Sequence, residues 1–395
     1  GGTTKINNLT VASALFANLC SARTCGIINA TATTINLTGC TYDSCTAAIQ
    51  FSGNVNLCSA GAICVNSGGG VGDNITFGGG SPIEDPGSNS ALTSNAGAAV
   101  AIMCNVIGCA SPLCDLNIIY TGPATPLAQS GPWHSNTASF NTGCNAITLN
   151  NACNDFTGAV DITTNVCATI TDSNALCIAA STVGGNLNLT ATCANVSDSG
   201  DITVTGTTTI SAGSIGNVTL DSVGNDFGGG VCIVANDATL VDINTLDFSG
   251  LLLMNNLCVN TNGDVTCSGI LTVCGTSCFN VGTGNIIMDC GGNNFNGVIS
   301  VAAANTVDID DTNAVMLGAI NISGCLDVTA CGAICQSGAI VVPGTLTLSS
   351  AGAINLMNAC NNFSTLSCIT RGGALNLRDG AGGLTAAGNI STNAS

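Results

Sequence analysis

Residues 216–244 read GNVTLDSVGNDFGGGVCIVANDATLVDIN. Apolar and small polar residues alternate in short runs, as in NVTLDS from Asn217, and Gly, Asn, Asp and Ser separate the runs. Alternation with period two sends one row of side chains inward and the other outward, the pattern of a short β-strand. The separators are residues that turns require. The tetrad Gly224-Asn225-Asp226-Phe227 recurs as Cys153-Asn154-Asp155-Phe156, Gly292-Asn293-Asn294-Phe295 and Cys360-Asn361-Asn362-Phe363, with the phenylalanines at spacings of 71, 68 and 68. A second marker keeps step, in Asp172-Ser173-Asn174, Asp242-Ile243-Asn244, Asp311-Thr312-Asn313 and Asp379-Gly380, at spacings of 70, 69 and 68. Two independent markers at one period establish an internal repeat.

No stretch carries a helical period. Roughly nine strands per period, three to a turn, predict coils of roughly 23 residues. The expected fold is all-β, a right-handed parallel β-helix (β-solenoid) of roughly 17 coils and about 80 Å, its core lined by Val, Ile, Leu and Ala. Residues 141–395 carry the repeats of about 69 residues. Residues 1–80 read as irregular solenoid coils, in which Cys20 and Cys25 recur as Cys40 and Cys45. Residues 81–140 read as a proline-containing insert: six of the seven prolines fall between 82 and 132, with Glu84, Trp133 and His134 in or beside them.

Composition excludes several functions. Only 7% of the 395 residues are charged, and the net charge is −18. Lys5, Arg23, Arg371 and Arg378 are the only basic residues, so no basic patch for nucleic acid exists. An apolar content of 46% argues against disorder. No apolar run approaches the ~20 residues of a membrane helix. The chain opens Gly1-Gly2, which reads as a processed product or a segment of something longer. The last period breaks off at Ser395, which predicts uncapped edges and end-to-end stacking.

The runs NDFTGAVDI from Asn154, TDSNAL from Thr171, GGNLNLTA from Gly184, DITVTGTTTISAG from Asp201 and GNVTLDSVGNDFGG from Gly216 resemble the repeats of filamentous haemagglutinin-like exoproteins of the two-partner secretion type, in a cysteine-rich variant. The resemblance covers about residues 141–395. It implies a right-handed parallel β-helix in a large, secreted, cell-surface or fibrous protein.

The 25 cysteines point to an oxidising, extracellular setting. Equivalent positions on neighbouring coils have Cα atoms about 4.8 Å apart, within the reach of a disulfide. Cys20 with Cys40, Cys25 with Cys45, Cys258 with Cys278 and Cys267 with Cys290 are therefore candidate cross-coil disulfides, while Cys274/Cys278 and Cys331/Cys335 could clip corners. Aligned periods put Cys232 and Cys368 at the site of Asp161 and Ser300, and Cys177 at that of Asp247 and Met316. These three cysteines should point outward and could join neighbouring chains. Metal ligation is the lesser expectation, because Cys104-x4-Cys109-x4-Cys114 lacks zinc spacing. The acidic group Asp308, Asp310 and Asp311 is a weak candidate for Ca²⁺, read first as solvated carboxylates. No metal, cofactor or catalytic residue is expected, and the protein reads as a non-enzyme. The leading expectation is an extracellular structural subunit of a cell-surface fibre, self-associating end to end or laterally. The alternative is an adhesin whose rod presents the 81–140 insert to a host surface or glycan, with Tyr120, Trp133 and His134 as its contact residues.

Overall fold

The computed structural model describes residues 7–68, 70, 72–78, 82–87, 89–97, 101–103, 106–122, 125–370, 373–380, 384–386 and 391–392, with the backbone alone at 101–103, 368–370, 386 and 391–392. Among these residues there is no helix, and the ladders named below are all parallel. The chain is a β-solenoid of about 17 turns, divided into two compact units, residues 1–205 and 206–395.

In the first unit one ladder runs from Ala22–Thr24 through Thr41–Ser44, Ala62–Asn66, Ala91–Gly97, Leu113–Tyr120 and His134–Gly143 to Ala159–Thr164. A second ladder joins Leu9–Ala12, Ile28–Leu37, Ile49–Leu57, Ile75–Gly78 and Ala101–Met103. A third starts at Phe16–Leu19, passes the far halves of Ile28–Leu37 and Ile49–Leu57, and continues through Ile83–Glu84 to single bridges at Ile107 and Trp133.

The expected insert at 81–140 is therefore corrected, since its described strands are rungs of these ladders, apart from Leu127–Ala128, which pairs in parallel with Ile147–Leu149. Its prolines explain the misreading. Pro82, Pro112, Pro126 and Pro132 each immediately precede an extended segment, at Ile83, Leu113, Leu127 and Trp133. Proline is tolerated at such a place because no ladder N–H is needed from it. The carbonyls of Pro82 and Pro132 still accept bonds from the N–H groups of Val55 and Ile107.

Three ladders run through the second unit. One joins Thr208–Ser211, Val231–Ala235, the far half of Leu246–Leu253, Leu271–Val273 and Asn294–Phe295. Another joins Val218–Leu220, Ala238–Asp242, Leu257–Thr261, Ser277–Asn280, Val298–Ala304 and Val315–Ile322. The last joins the near half of Leu246–Leu253 with Val265–Cys267, Ile286–Met288, Val307–Asp311, Leu326–Ala330, Ile340–Ser350 and Asn362–Thr370.

Coil length also corrects the sequence expectation. Paired residues in this unit are 17 to 23 apart, as in Val231↔Phe248 and Thr208↔Val231, and commonly about 20. A period of about 69 residues thus spans about three and a third coils, not three. The consequence is a rotation. The equivalent positions 232, 300 and 368 lie on the first, second and third of these ladders respectively.

Strands bury alternate side chains. In Val231–Ala235 the residues Val231, Ile233 and Ala235 are buried and Cys232 and Val234 are not. The interior is a stack of Val, Ile, Leu, Ala and Phe, and Phe156, Phe227, Phe295 and Phe363 of the recurring tetrad are all buried in it. Burying a side chain of this size contributes roughly 1.5–3 kcal/mol.

Candidate functional site

The two sequence markers turn out to be halves of one buried polar cluster. Asp172 lies inside the coil, where one carboxylate oxygen accepts the Phe156 N–H at 2.8 Å and the other accepts the Asn174 N–H at 2.8 Å. Asp242 does the same with Phe227 and Asn244, and Asp311 with Phe295 and Asn313. Burial pushes the carboxyls of all three above the ordinary range, against the pull of those two N–H bonds. The tetrad asparagine is the second half. Asn154 is buried; its side-chain oxygen accepts the Trp133 N–H, and its amide donates to the carbonyls of Leu149 and Thr171. One side chain thus ties three successive coils. Asn361 repeats the arrangement with Ile340, Leu356 and Arg378. Such groups satisfy backbone atoms that a turn would otherwise leave buried and unpaired.

The cysteines are distributed in the opposite way. No described cysteine is buried, although cysteine is ordinarily among the most buried residue types. Cys267 and Cys290 form a disulfide across a sequence separation of 23, with Cα atoms 6.2 Å apart. Cys258 and Cys278 stand directly opposite each other in register, as free thiols in contact. Burial and the neighbouring Cys278 push the Cys258 thiol up. Cys20/Cys40 and Cys25/Cys45 flank the two ends of the ladder that aligns Ala22 with Tyr42 and Thr24 with Ser44. All four are free thiols, Cys20 with the Thr38 hydroxyl and Cys40 with the Ser59 hydroxyl. Cys177 and Cys232 are half-buried on outward positions of their strands. The side chain of Cys368 and all of Cys104 lie outside the described residues.

The expected contact residues separate. Tyr120 and Trp133 are fully buried, Tyr120 with its hydroxyl donating to the Thr125 carbonyl and Trp133 against Phe140. Both are corrected from surface to core, because each falls on an inward position of its rung. The rungs at Ile83, Ile107 and Trp133 are 24 and 26 residues apart, longer steps than the common one of about 20. His134 alone of the three faces outward, its Nε2 2.8 Å from the Cys153 carbonyl oxygen. The acidic triad separates as well. Asp311 points inward, while Asp308 and Asp310 point outward beside Asp327, which pairs with Asp308 in register.

One grouping was not anticipated. Sγ of Cys267 and of Cys290 and a carboxylate oxygen of Asp289 lie within 4.8 Å of one another. Cys267 ends Val265–Cys267, and Asp289 and Cys290 follow Ile286–Met288 on the next coil. The Cys290 N–H donates to Cys267 Sγ at 3.2 Å, and the Asn293 side-chain amide approaches the same sulfur at 3.9 Å. The adjacent Asp-Cys pair one coil beyond Cys267 was the available signal.

No described helix is long and apolar enough to cross a membrane. No curated protein and no solved structure matches the chain. A family model described as Repeats of unknown function (DUF5649) matches residues 115–163, 164–233, 235–302 and 304–370. The last three matches have the length of the sequence period, and together the four cover well over half of the chain. The chain therefore belongs to this family of repeats.

Proposed function

We propose that the protein is a non-enzymatic structural subunit of an extracellular, cell-surface fibre, cross-linked through its cysteines. The carrying observation is the placement of those cysteines: every described one is at or near the surface, Cys258 and Cys278 face each other in register on neighbouring coils, and Cys20/Cys40 and Cys25/Cys45 flank the ends of one ladder. A thiol on an outward rung can oxidise with its neighbour on the next coil or with an equivalent rung of a second chain. The cell-surface setting follows from the cysteine count and from the resemblance to filamentous haemagglutinin-like repeats. The net charge of −18 opposes packing of one chain against another, so covalent links between surface cysteines are what this reading relies on.

The adhesin reading keeps only His134 on the surface, since Tyr120 and Trp133 are core residues. Electron microscopy and non-reducing electrophoresis of the native, unreduced material test the structural reading. Filaments or bundles are expected, with covalent multimers that collapse on reduction. Isolated single chains whose surface thiols all react with a thiol reagent would overturn it.

A further inference from the structure

We propose that Cys267, Asp289 and Cys290, when the two cysteines are reduced, bind a thiophilic divalent cation of the zinc class, and that this cation and the Cys267–Cys290 disulfide are alternative occupants of one site. Three donor atoms from two adjacent coils converge within 4.8 Å of one another. The sulfur–sulfur edge of a tetrahedral zinc site spans ~3.8 Å for Zn–S bonds of ~2.3 Å, so the two sulfurs, joined in the disulfide, must move apart on reduction, which rotation about their side-chain bonds supplies. Two sulfurs select a borderline-soft ion over Ca²⁺ or Mg²⁺, which take oxygen ligands. The Cys290 N–H directed at Cys267 Sγ and the Asn293 amide near it favour the thiolate form that a cation requires. Asp289 is exposed, which leaves the fourth position open to water.

The surroundings attract a cation. Asp289 lies close enough to Asp308 to repel its charge, and Asp310 and Asp327 belong to the same patch. Arg378 is the only described basic residue of this unit, and it stands far beyond the patch in the sequence. A bound divalent ion would therefore neutralise charge that no described basic side chain offsets. Oxidation by a low-molecular-weight disulfide closes the exchange. The two thiolates each give up one electron and join as one S–S bond. The bond of the oxidant breaks to give two thiolates, and the cation leaves with its charge unchanged.

The test uses the full chain, reduced with a phosphine, desalted without oxygen and titrated with Co²⁺ alone. Thiolate-to-cobalt charge-transfer absorption reports binding, and the other surface thiols give a background common to all variants. The wild type should bind one more Co²⁺ tightly than Cys267→Ser, and Asp289→Asn should weaken that ion by about 10-fold or more. Glutathione disulfide should then release one equivalent and leave the Cys267–Cys290 link, read by peptide mass. Equal stoichiometry and affinity in all three chains would overturn the proposal. If Cys267→Ser loses its β-sheet circular dichroism, the exposed Asp289→Asn variant decides alone, and unchanged Co²⁺ affinity in it overturns the proposal.

Discussion

Asp242 and Asn293 show how single residues hold a coil whose backbone must turn three times before it meets itself again. Asp242 accepts two backbone N–H groups from two coils, and Asn293 accepts the Leu271 N–H while donating to the Met288 carbonyl. Both are buried. Removing such an acceptor leaves donors without water or partner, which costs about 1–3 kcal/mol each. Asp242→Ala should therefore destabilise the second unit by about 2–4 kcal/mol. Asp242→Asn should cost less, because it keeps one acceptor and spares the burial of a charge. Urea unfolding followed by circular dichroism checks the order, and an Asp242→Ala midpoint equal to the wild type would refute the clamp. The positions of these residues were legible as a period of Asn, Asp and Phe, but their roles were not. Asn and Asp read as turn residues, and nothing in one sequence says that a carboxylate faces inward to meet the N–H of the tetrad phenylalanine.

Along an element, register decides which charges meet. The outward row of one ladder runs Asp247, Thr266, Ile287, Asp308, Asp327 and Thr347. Burial, followed by the charges of Asp327, Asp310 and Asp289, pushes the Asp308 carboxyl up to about 6. An ordinary carboxyl in the unfolded chain titrates at about 3.9. Between those values the folded state holds more protons than the unfolded one, so stability falls as pH rises through that window. With the disulfide intact and a chelator present, the thermal midpoint should be higher at pH 5 than at pH 7.5. Asp308→Asn should raise the midpoint at pH 7.5 by roughly 1–2 °C, after allowance for solvent screening at a half-exposed site. It should also flatten the pH dependence, whereas a slope unchanged in Asp308→Asn would place the effect elsewhere. Alternation made these strands legible in the sequence, but not their neighbours. Pairing depends on a coil length that varies, as the step from Val231 to Phe248 differs from that between Thr208 and Val231. The same gap in the reading turned Pro82, Pro112, Pro126 and Pro132 into signs of an insert, when each precedes an extended segment of the stack.

At the scale of a whole unit the repeat and the coil are different lengths, and the mismatch organises the second unit. The period was visible in the sequence because side-chain identity recurs with it. The coil was not, because no residue type marks each completed turn. Since a period is about three and a third coils, positions 232, 300 and 368 occupy three ladders in turn, and a surface feature carried once per repeat visits each face once in three repeats. It also predicts which deletions the fold tolerates. Removing residues 235–302, one family repeat, joins Val234 to Ala303. Val307, Ile309 and Asp311 then replace Ala238, Leu240 and Asp242 as the inward row, and the Asp311 carboxylate meets the Phe227 N–H in place of Asp242. Every coil keeps a neighbour of the kind it has now, rotated by one face. In a solenoid, stability is a sum over units and their nearest-neighbour contacts, so this chain should fold, with the denaturant dependence of the second unit reduced by about a third. Removing 235–268, half a period, strands Phe227 without Asp242 and brings unmatched strands together, and it should abolish the cooperative transition of that unit. Far-ultraviolet circular dichroism with urea unfolding separates the two cases. If both deletions fold equally well, the period has no structural meaning beyond the coil; if neither folds, the rotated junction is not equivalent to the native one.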